Sequence, residues 1–175
     1  MTKSLLYLSL FTSAMISCQC NEKAIPFESQ TPEERSEFFI EENQRWARQE
    51  AKDIDNYIKR HKLKMTDSGT GLRYSLEETG SGDKAIEGQL AMIKFAVHLF
   101  DGTLCYSTDS IGAQEFRIGM ANVESGLHEG VMLMRVGDKA KFILPSHLAH
   151  GIAGDRNMIP MRSPIIYDVE LIGLK

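Results

Sequence analysis

The sequence is poor in cysteine, in positive charge and in long apolar runs. Its 175 residues include three cysteines, and no C-x-x-C pair or cluster of histidine and cysteine has the spacing of a zinc site. Lys and Arg total 20 against 24 Asp and Glu, for a net charge of −4. No basic stripe offers a surface for phosphates, so we expect no nucleic-acid partner. No apolar run reaches the roughly 18 residues that a membrane-spanning helix needs.

Motifs of hydrolases and nucleotide-binding enzymes are also missing. There is no G-x-S-x-G, and the glycine-rich stretches GTG and GSGD do not open an apolar helix. Cys105 lies in a strand-like segment, not at a helix start that would lower the pKa of its thiol. His147 and His150 are three residues apart, with no carboxylate at helical spacing beside them. A metal site on these histidines is a minor alternative, and we expect no cofactor.

The start of the sequence is typical of an exported protein. Lys3 precedes an apolar segment, residues 5–16, that has the length of a signal-peptide core. Residues 15–18, Met-Ile-Ser-Cys, resemble the lipobox of bacterial lipoproteins. The resemblance implies a signal peptide over residues 1–17, cleavage before Cys18, and acyl chains on Cys18 that anchor the protein to a membrane. The alternative is an ordinary secretory signal with a chance cysteine.

Residues 18–30 are polar and aperiodic, and we interpret them as a tether. They contain Cys20, for which a disulfide with Cys105 is compatible with an oxidising compartment. Nothing in the spacing supports that pairing. A buried free thiol at Cys105 is the favoured alternative.

Residues 31–65 are predicted to hold an N-terminal amphipathic helix, with its clearest pattern over residues 32–62. Thr31, Pro32 and Glu34 occupy the positions of an N-cap, a first helical residue and a capping box. The apolar stripe has spacings of four, three and four residues, at Ala47, Ala51, Ile54 and Ile58. The stripe favours either packing against the chain's own domain or pairing with another helix, in a homodimer or with a partner.

After residue 71 the apolar period changes to two, which indicates strands. The strand-like segments are residues 90–99, 104–106, 116–118, 139–144 and 165–174. Asp101-Gly102 is a hairpin signal. Residues 122–134 have helix-like spacing at Leu127, Val131 and Met134, with Ser125 as the expected cap. Residues 66–71 have the composition of a linker. An antiparallel sheet interrupted by one short helix predicts an α+β fold.

The order of motifs in this part resembles the FKBP-type peptidyl-prolyl isomerases. The motifs run nearly without gaps from residue 71 to residue 175: GLRYSLEETGSGD, FDGTLCYS, FRIG, VESGLHEGVMLMRVGDKAKFILPSHLAHG, MIP and IIYDVELIGL. The resemblance implies a curved antiparallel sheet, a half-barrel wrapped around one short helix, with a proline site between helix and sheet. With its lipobox and charged helix, the chain is similar to bacterial FKBP lipoproteins, particularly the gliding-motility-associated ones. Dimeric macrophage-infectivity potentiators are a looser parallel.

The resemblance also implies the residues of the site. The substrate-binding walls are Phe95, Phe116, Val123, Leu127, Ile159 and Tyr167, with Pro160 after Ile159 in the flap loop. The catalytic set is Tyr106, Ser107, Glu124 and His150. In this set the backbone N–H of Glu124 and the side chain of His150 anchor substrate carbonyls. His147 falls at a variable, exposed loop position.

Three of these residues depart from the family pattern. Ser107 stands where active members usually have Asp, Glu124 where Ile or Val is usual, and His150 where a Tyr hydroxyl donates to a substrate carbonyl. A neutral imidazole N–H could replace that hydroxyl, but it adds pH sensitivity because imidazole changes its charge between about pH 5 and 8. A buried carboxylate at position 124 would cost desolvation free energy. Efficient catalysis is therefore an open question at this point.

Two functions remain. The first is an isomerase that assists the folding of exported proteins, with an apolar pocket that binds the twisted X-Pro amide better than the planar one. The alternative is a weakly active or inactive binding or chaperone module of an envelope or motility complex. In both cases the expected partners are proline-containing protein segments. The expected location is the cell envelope, with a lipid anchor, facing the periplasm or the surface, most plausibly at the outer membrane.

Overall fold

The computed structural model describes residues 31–78 and 80–175. The predicted signal peptide and tether, with Cys18 and Cys20, lie outside the described residues. Among the described residues two units are distinguished, residues 31–40 and residues 41–175. In the first unit, residues 32–40 begin helix α1 (Pro32–Arg60), and the rest of α1 belongs to the second. No helix in the described part is both long enough and apolar enough to cross a membrane.

Helix α1 begins with the predicted capping box. The Thr31 N–H donates to the Glu34 carboxylate at 2.6 Å, and the Glu34 N–H donates to the Thr31 hydroxyl at 3.2 Å. These reciprocal bonds satisfy two backbone donors at the helix start. Thr31 is therefore confirmed as the N-cap.

Helix α1 ends at Arg60, before the predicted limits at 62 and 65. Lys62 has a left-handed backbone, with φ of 54°. The Leu63 N–H donates to the Ile58 carbonyl at 3.0 Å, and the Lys62 N–H donates to the Lys59 carbonyl at 3.2 Å. This is the Schellman arrangement that closes a helix. The end of the helix could not be predicted from the sequence, because a lysine and not a glycine takes the left-handed position.

Within the described residues, seven strands form one antiparallel sheet. They are β1 (Thr66–Asp67), β2 (Arg73–Glu78), β3 (Leu90–His98), β4 (Leu104–Ser107), β5 (Gln114–Arg117), β6 (Lys139–Leu144) and β7 (Ile165–Leu174). The strand order is β1-β2-β6-β7-β3-β4, and β5 also pairs with β3. Helices α2 (Thr108–Ile111) and α3 (Ser125–Met132) and a 3₁₀ turn (Ser146–Leu148) complete the described elements. The predicted α+β class is confirmed.

Strands β4 and β5 share one edge of β3. Tyr106 of β4 pairs with Val97, and Phe116 of β5 pairs with Ala91. Helix α2 connects the two short strands. The arrangement places these two aromatic residues along the same edge of β3.

Helix α3 packs closely on β6 because two of its residues have no side chain. A Cβ at Gly126 would lie 2.6 Å from Leu144, and a Cβ at Gly130 would lie 2.7 Å from the Phe142 ring. Protein cores leave no room for such overlaps. The glycines therefore fix how deeply α3, which carries part of the site, lies against the sheet.

Residues 54–58 of α1 pack on the other face of the sheet. Ile54 packs with Ile143 of β6 and Ile166 of β7 in a second apolar cluster. The ring of Tyr57 stacks on Phe100 with centroids 4.4 Å apart. The C-terminal half of the apolar stripe, Ile54 and Ile58, thus packs against its own domain, whereas Ala47 and Ala51 are exposed. The first of the two alternatives therefore holds for this half, and pairing of the helix with a partner stays a prediction.

Two local predictions were wrong, and one strand was not predicted. Residues 66–71 are not a simple linker, since Thr66–Asp67 forms β1 and pairs with β2. Strand β2, which was not predicted as a strand, pairs with the distant β6, and local composition does not reveal such a partner. The N-cap of α3 is Glu124, not Ser125. The Ser125 hydroxyl instead donates to the Leu148 carbonyl at 3.4 Å.

Candidate active site

An open cavity of about 770 Å³ lies where α3, the sheet and the loop after the 3₁₀ turn meet. Its apolar wall consists of Phe95 of β3, Phe116 of β5, Leu127 of α3 and Tyr167 of β7. The rings of Phe95 and Tyr167 lie 5.6 Å apart. Phe116, Leu127 and Tyr167 are each at most 7% exposed, so core packing holds them in place. This wall suits a small apolar ring.

Most of the residues predicted for the site line this cavity. They are Phe95, Tyr106, Phe116, Val123, Glu124, Leu127, His150 and Tyr167. Ile159 is buried in the core and does not line the cavity. Ser107 lies in a different groove, with Lys94 and Glu170. The part that each of these residues plays in substrate binding stays a prediction.

Ser107 caps helix α2. Its hydroxyl accepts a hydrogen bond from the Asp109 N–H at 3.1 Å. The next residue, Thr108, is buried, and its hydroxyl bonds to the N–H and the carbonyl of Phe95 at 2.9 and 3.2 Å. Together the two hydroxyls fix the segment between β4 and β5 against β3. The Ser107 hydroxyl is thus engaged outside the cavity.

Tyr106 connects the apolar wall to the loop of residues 155–159. Its hydroxyl donates a hydrogen bond to one carboxylate oxygen of Asp155 and accepts one from the Asn157 side chain at 3.2 Å. The other oxygen of Asp155 accepts from the N–H groups of Asn157 and Ile159, both at 2.8 Å. One carboxylate therefore fixes both this loop and the Tyr106 ring.

The contacts of Asp155 favour its ionised form. Burial alone raises the pKa of this carboxyl, but hydrogen bonds from the Tyr106 hydroxyl and from the N–H groups of Asn157, Ile159 and Met158 outweigh burial. The net result lowers the pKa from 3.8 to about 2. The same bond raises the pKa of the Tyr106 hydroxyl. Asp155 is therefore a fixed negative charge beside the cavity at any physiological pH.

A second carboxylate lies inside the cavity wall. Glu124 at the N-cap of α3 makes no capping bond with its side chain. Its Oε1 lies 2.9 Å from Nε2 of His150, and the side chains are 13% and 25% exposed. Burial raises the pKa of the Tyr167 hydroxyl, and the charge of Glu124 and a hydrogen bond to it raise that pKa further. The carboxylate thus lies between the loop histidine and the apolar wall.

The pairing affects one of the two predicted carbonyl anchors. His150 directs Nε2 at Glu124, so that nitrogen can donate to a substrate carbonyl only if the pair opens. The backbone N–H of Glu124 has no acceptor within residues 31–78 and 80–175. Of the two anchors, the N–H of Glu124 is the one that is available without rearrangement.

Comparison with known proteins decides the family. The sequence model of the family of FKBP-type peptidyl-prolyl cis-trans isomerases matches residues 82–172. This range includes every side chain that lines the cavity. The chain belongs to this family. FK506-binding protein 2 of Dictyostelium discoideum is 38% identical over 109 residues, which cover 59% of this chain and 77% of that protein.

This chain matches less than half the length of one bacterial FKBP-type relative. The FKBP-type isomerase FkpA of Aeromonas hydrophila is 36% identical over 117 residues, and the match spans 42% of that protein and 67% of this chain. The crystal structure of FkpA from Escherichia coli matches with a TM-score of 0.65 and 27% identity, over 84% of this chain and 74% of that one. The structure of AtFKBP13 matches with a TM-score of 0.62 and 28% identity, over 65% of this chain and all of that one. These neighbours confirm the predicted FKBP-like fold.

Among the unpredicted residues in or behind this FKBP-type cavity, Asp155, Asn157 and His128 have clear structural roles. Asp155 and Asn157 line it, and the sequence Asp-Arg-Asn has the composition of a turn held by side-chain bonds, which was a usable signal. His128 of α3 supports the wall from behind. Its Nδ1 accepts from the Gly119 N–H at 2.9 Å, and its Nε2 lies 3.0 Å from the Ala121 carbonyl. The ring therefore holds the loop before α3 and contacts a wall residue, with its centroid 5.4 Å from that of Phe116.

Cys105 differs from the prediction in its exposure. It is a free cysteine but only half-buried, with its sulfur 3.9 Å from the carbonyl oxygens of Thr103 and Met158. Burial raises the pKa of the thiol, and the negative charges of Asp155 and Asp101 raise it further. The environment thus disfavours the thiolate that a nucleophilic cysteine needs.

The two histidines of the sequence PSHLAHG do not converge. His147 is exposed, as predicted, and its Nε2 lies 3.2 Å from the Thr70 carbonyl. His150 faces Glu124 in the cavity. Among the residues that the structure describes, no group of three His, Cys, Asp or Glu side chains could hold a metal ion.

Proposed function

We propose that the chain is a peptidyl-prolyl cis-trans isomerase that assists the folding of exported proteins. The open cavity with its apolar wall carries the proposal. Phe95, Phe116, Leu127 and Tyr167 offer contacts to a proline ring, and the free N–H of Glu124 offers a donor to a flanking carbonyl. The family of the chain supports the same activity.

The chemistry requires no acid, base or nucleophile. Rotation about an X-Pro bond breaks no covalent bond, but its barrier is about 20 kcal/mol, so the reaction takes tens of seconds unaided. Twisting the amide removes resonance and makes its carbonyl less dipolar. An apolar site with little water therefore stabilises the twisted amide relative to the planar one. Tyr106, fixed by Asp155, adds an aromatic side to this site.

Exchange NMR on proline peptides tests the proposal without an auxiliary protease. We expect the full chain to accelerate cis-trans interconversion of peptides with Leu, Ala or Gln before proline. Heat-unfolded protein is the matched control, because it has the same composition and no cavity. Interconversion at the uncatalysed rate for every residue before proline would refute the proposed activity.

A binding module with slow turnover is the second candidate. It is favoured by the Ser107 hydroxyl, which caps α2, and by the Glu124–His150 pair, which occupies one predicted anchor. In this case peptide addition would shift NMR signals of the cavity residues while the interconversion rate stays uncatalysed. Acceleration of more than about tenfold would exclude it.

The lipid anchor belongs to the same proposal. The sequence Met-Ile-Ser-Cys at residues 15–18 supports acylation of Cys18 and a position in the cell envelope, in the periplasm or at the surface, with the outer membrane as the favoured site. The likeness to gliding-motility lipoproteins supports a role in a motility complex. Incorporation of labelled palmitate into the expressed chain, and its loss in Cys18→Ser, tests the anchor. Labelling that persists in the variant would contradict it.

The first turns of α1 support a partner or a homodimer as a further proposal. Phe38, Phe39 and Ile40 are 46–53% exposed, an unusual exposure for three consecutive apolar side chains. Sedimentation of the full chain against a variant with Phe38→Ser and Phe39→Ser tests self-association. If the unaltered chain and the variant both sediment as monomers, homodimerisation is contradicted.

A further inference from the structure

The cavity carries negative charge that its own lining does not neutralise. The side chains that line it include three carboxylates and no lysine or arginine. Glu115 is paired with Lys175, whose Nζ lies 2.7 Å from it. Asp155 is saturated by the Tyr106 hydroxyl and two loop N–H groups. Glu124 differs from Glu115, since its partner is an imidazole and not a permanent cation, and from Asp155, since its side chain makes no capping bond to backbone N–H groups.

Glu124 also interacts directly with the apolar wall, through a hydrogen bond with the Tyr167 hydroxyl. Its side chain is 13% exposed, and its charge raises the pKa of the Tyr167 hydroxyl. Tyr167 is itself 4% exposed. In such surroundings a carboxylate attracts a cation more strongly than it does in water. A substrate that binds against Phe95 and Tyr167 therefore brings the residues beside its proline close to this charge.

We infer that Glu124 makes the cavity select proline segments with lysine or arginine directly beside the proline. The inference rests on the proposed function for its catalytic readout. An arginine guanidinium can pair with a carboxylate through two N–H groups, and a lysine ammonium acts as a point charge on a long stem. Aspartate or glutamate at the same place would bring two negative charges together, and such repulsion weakens binding.

Matched peptides measure the preference. Two sets of peptides with blocked termini are used. In one set Lys, Gln or Glu directly precedes the proline, and in the other it directly follows the proline. By exchange NMR we expect kcat/KM of the full chain to be about tenfold higher for Lys than for Glu in at least one set, with Gln between them. In about 0.5 M NaCl the difference should fall to about threefold or less, because salt screens charge pairs.

Two variants assign the preference to one carboxylate. Glu124→Gln removes the charge and keeps the size, so we expect the Lys-to-Glu ratio to fall to about twofold or less. Glu115→Gln is the matched control: it removes another cavity carboxylate, one that Lys175 already neutralises, and the ratio should stay near that of the unaltered chain. A ratio of two peptides is unaffected by a general loss of activity or of folded protein.

The outcomes separate this inference from the proposed function. If the Gln peptides are accelerated but Lys and Glu peptides react equally, the inference is overturned and the isomerase stands. If no peptide is accelerated, the isomerase is overturned, and NMR titration with the same peptides decides on selectivity. Tighter binding of Lys than of Glu peptides that Glu124→Gln abolishes would support it, and equal binding or no binding would overturn it. If Glu124→Gln does not fold, a Lys-to-Glu ratio of the unaltered chain that is insensitive to salt would overturn it.

Discussion

The two sides of the cavity are built in different ways. The apolar wall comes from β3, β5, β7 and α3, and its residues also belong to the hydrophobic core. The opposite side, which we call the polar side, consists of Glu124, His150, Asp155 and Asn157, at a helix cap and in a loop. Packing fixes the first side, whereas individual hydrogen bonds and ion pairs fix the second. In the proposed function the apolar wall would contact any proline ring, and the polar side is where this chain can differ from its relatives.

The contact between α3 and β6, which supports the apolar wall, should be the part of the cavity most sensitive to substitution. Gly130→Ala would place a Cβ 2.7 Å from the Phe142 ring and push α3, with Leu127, away from β6. Overpacking of this kind costs about 1–3 kcal/mol, and urea denaturation measures it. Gly173→Ala is the control, because no atom lies within 4 Å of the added Cβ. Equal losses in both variants would show that the close approach of α3 is not the cause.

Tyr106 joins the two sides, and its ring should matter more than its hydroxyl. Tyr106→Ala should lower kcat/KM on a Leu-Pro peptide by more than about tenfold, since it removes an aromatic wall and releases Asp155. Tyr106→Phe keeps the ring and loses one hydrogen bond, so we expect about a two- to threefold loss. An unchanged rate in folded Tyr106→Ala would refute its place in the proline site.

The polar side should respond to acid. Because the pKa of Asp155 falls from 3.8 in the ordinary state to about 2 in the folded protein, its contribution to stability is complete above about pH 4 and is lost as the pH falls towards 2. Asp155→Asn should lower the free energy of unfolding at pH 7 by about 1 kcal/mol, a modest value because solvent screens this partly exposed group.

The control for Asp155 is another carboxylate on a cavity-lining residue. Glu115→Gln should keep the dependence of stability on pH between about pH 2 and 4 that Asp155→Asn loses. Parallel acid titrations followed by circular dichroism measure both. Identical curves for Asp155→Asn and the unaltered chain would show that the loop bonds do not depend on the charge.

Ser107 should have the smallest effect. Ser107→Ala removes the cap of α2 and should lower stability by about 0.5 kcal/mol, at the lower end for N-caps since α2 is a single turn. Ser107→Asp should keep the stability, because aspartate is an equally good cap. Thermal unfolding of the two variants tests this, and a loss in Ser107→Asp as large as that in Ser107→Ala would contradict the capping role.

The sequence predicts the apolar wall better than the polar side for a physical reason. Phe116, Leu127 and Tyr167 lie in segments whose period and order of motifs are visible along the chain, and core packing then determines where they point. The pair of Glu124 with His150 and that of Tyr106 with Asp155 join residues 26 and 49 positions apart. Such contacts depend on how two separate segments meet in space. Local sequence patterns do not show which distant segments will come into contact. Strand β2 was not predicted for the same reason, since it pairs with the distant β6.

The cover that α1 and β2 give to β6 has a practical consequence. The family match begins at residue 82, yet β2, which lies beside β6, occupies residues 73–78. A polypeptide cut at residue 82 would leave the edge of β6 unpaired, and unpaired edges promote aggregation between chains. It would also bring Ile143 and Ile166 into contact with water, because Ile54 would be gone. Recombinant protein meant to stay dispersed in solution should therefore begin upstream of residue 41.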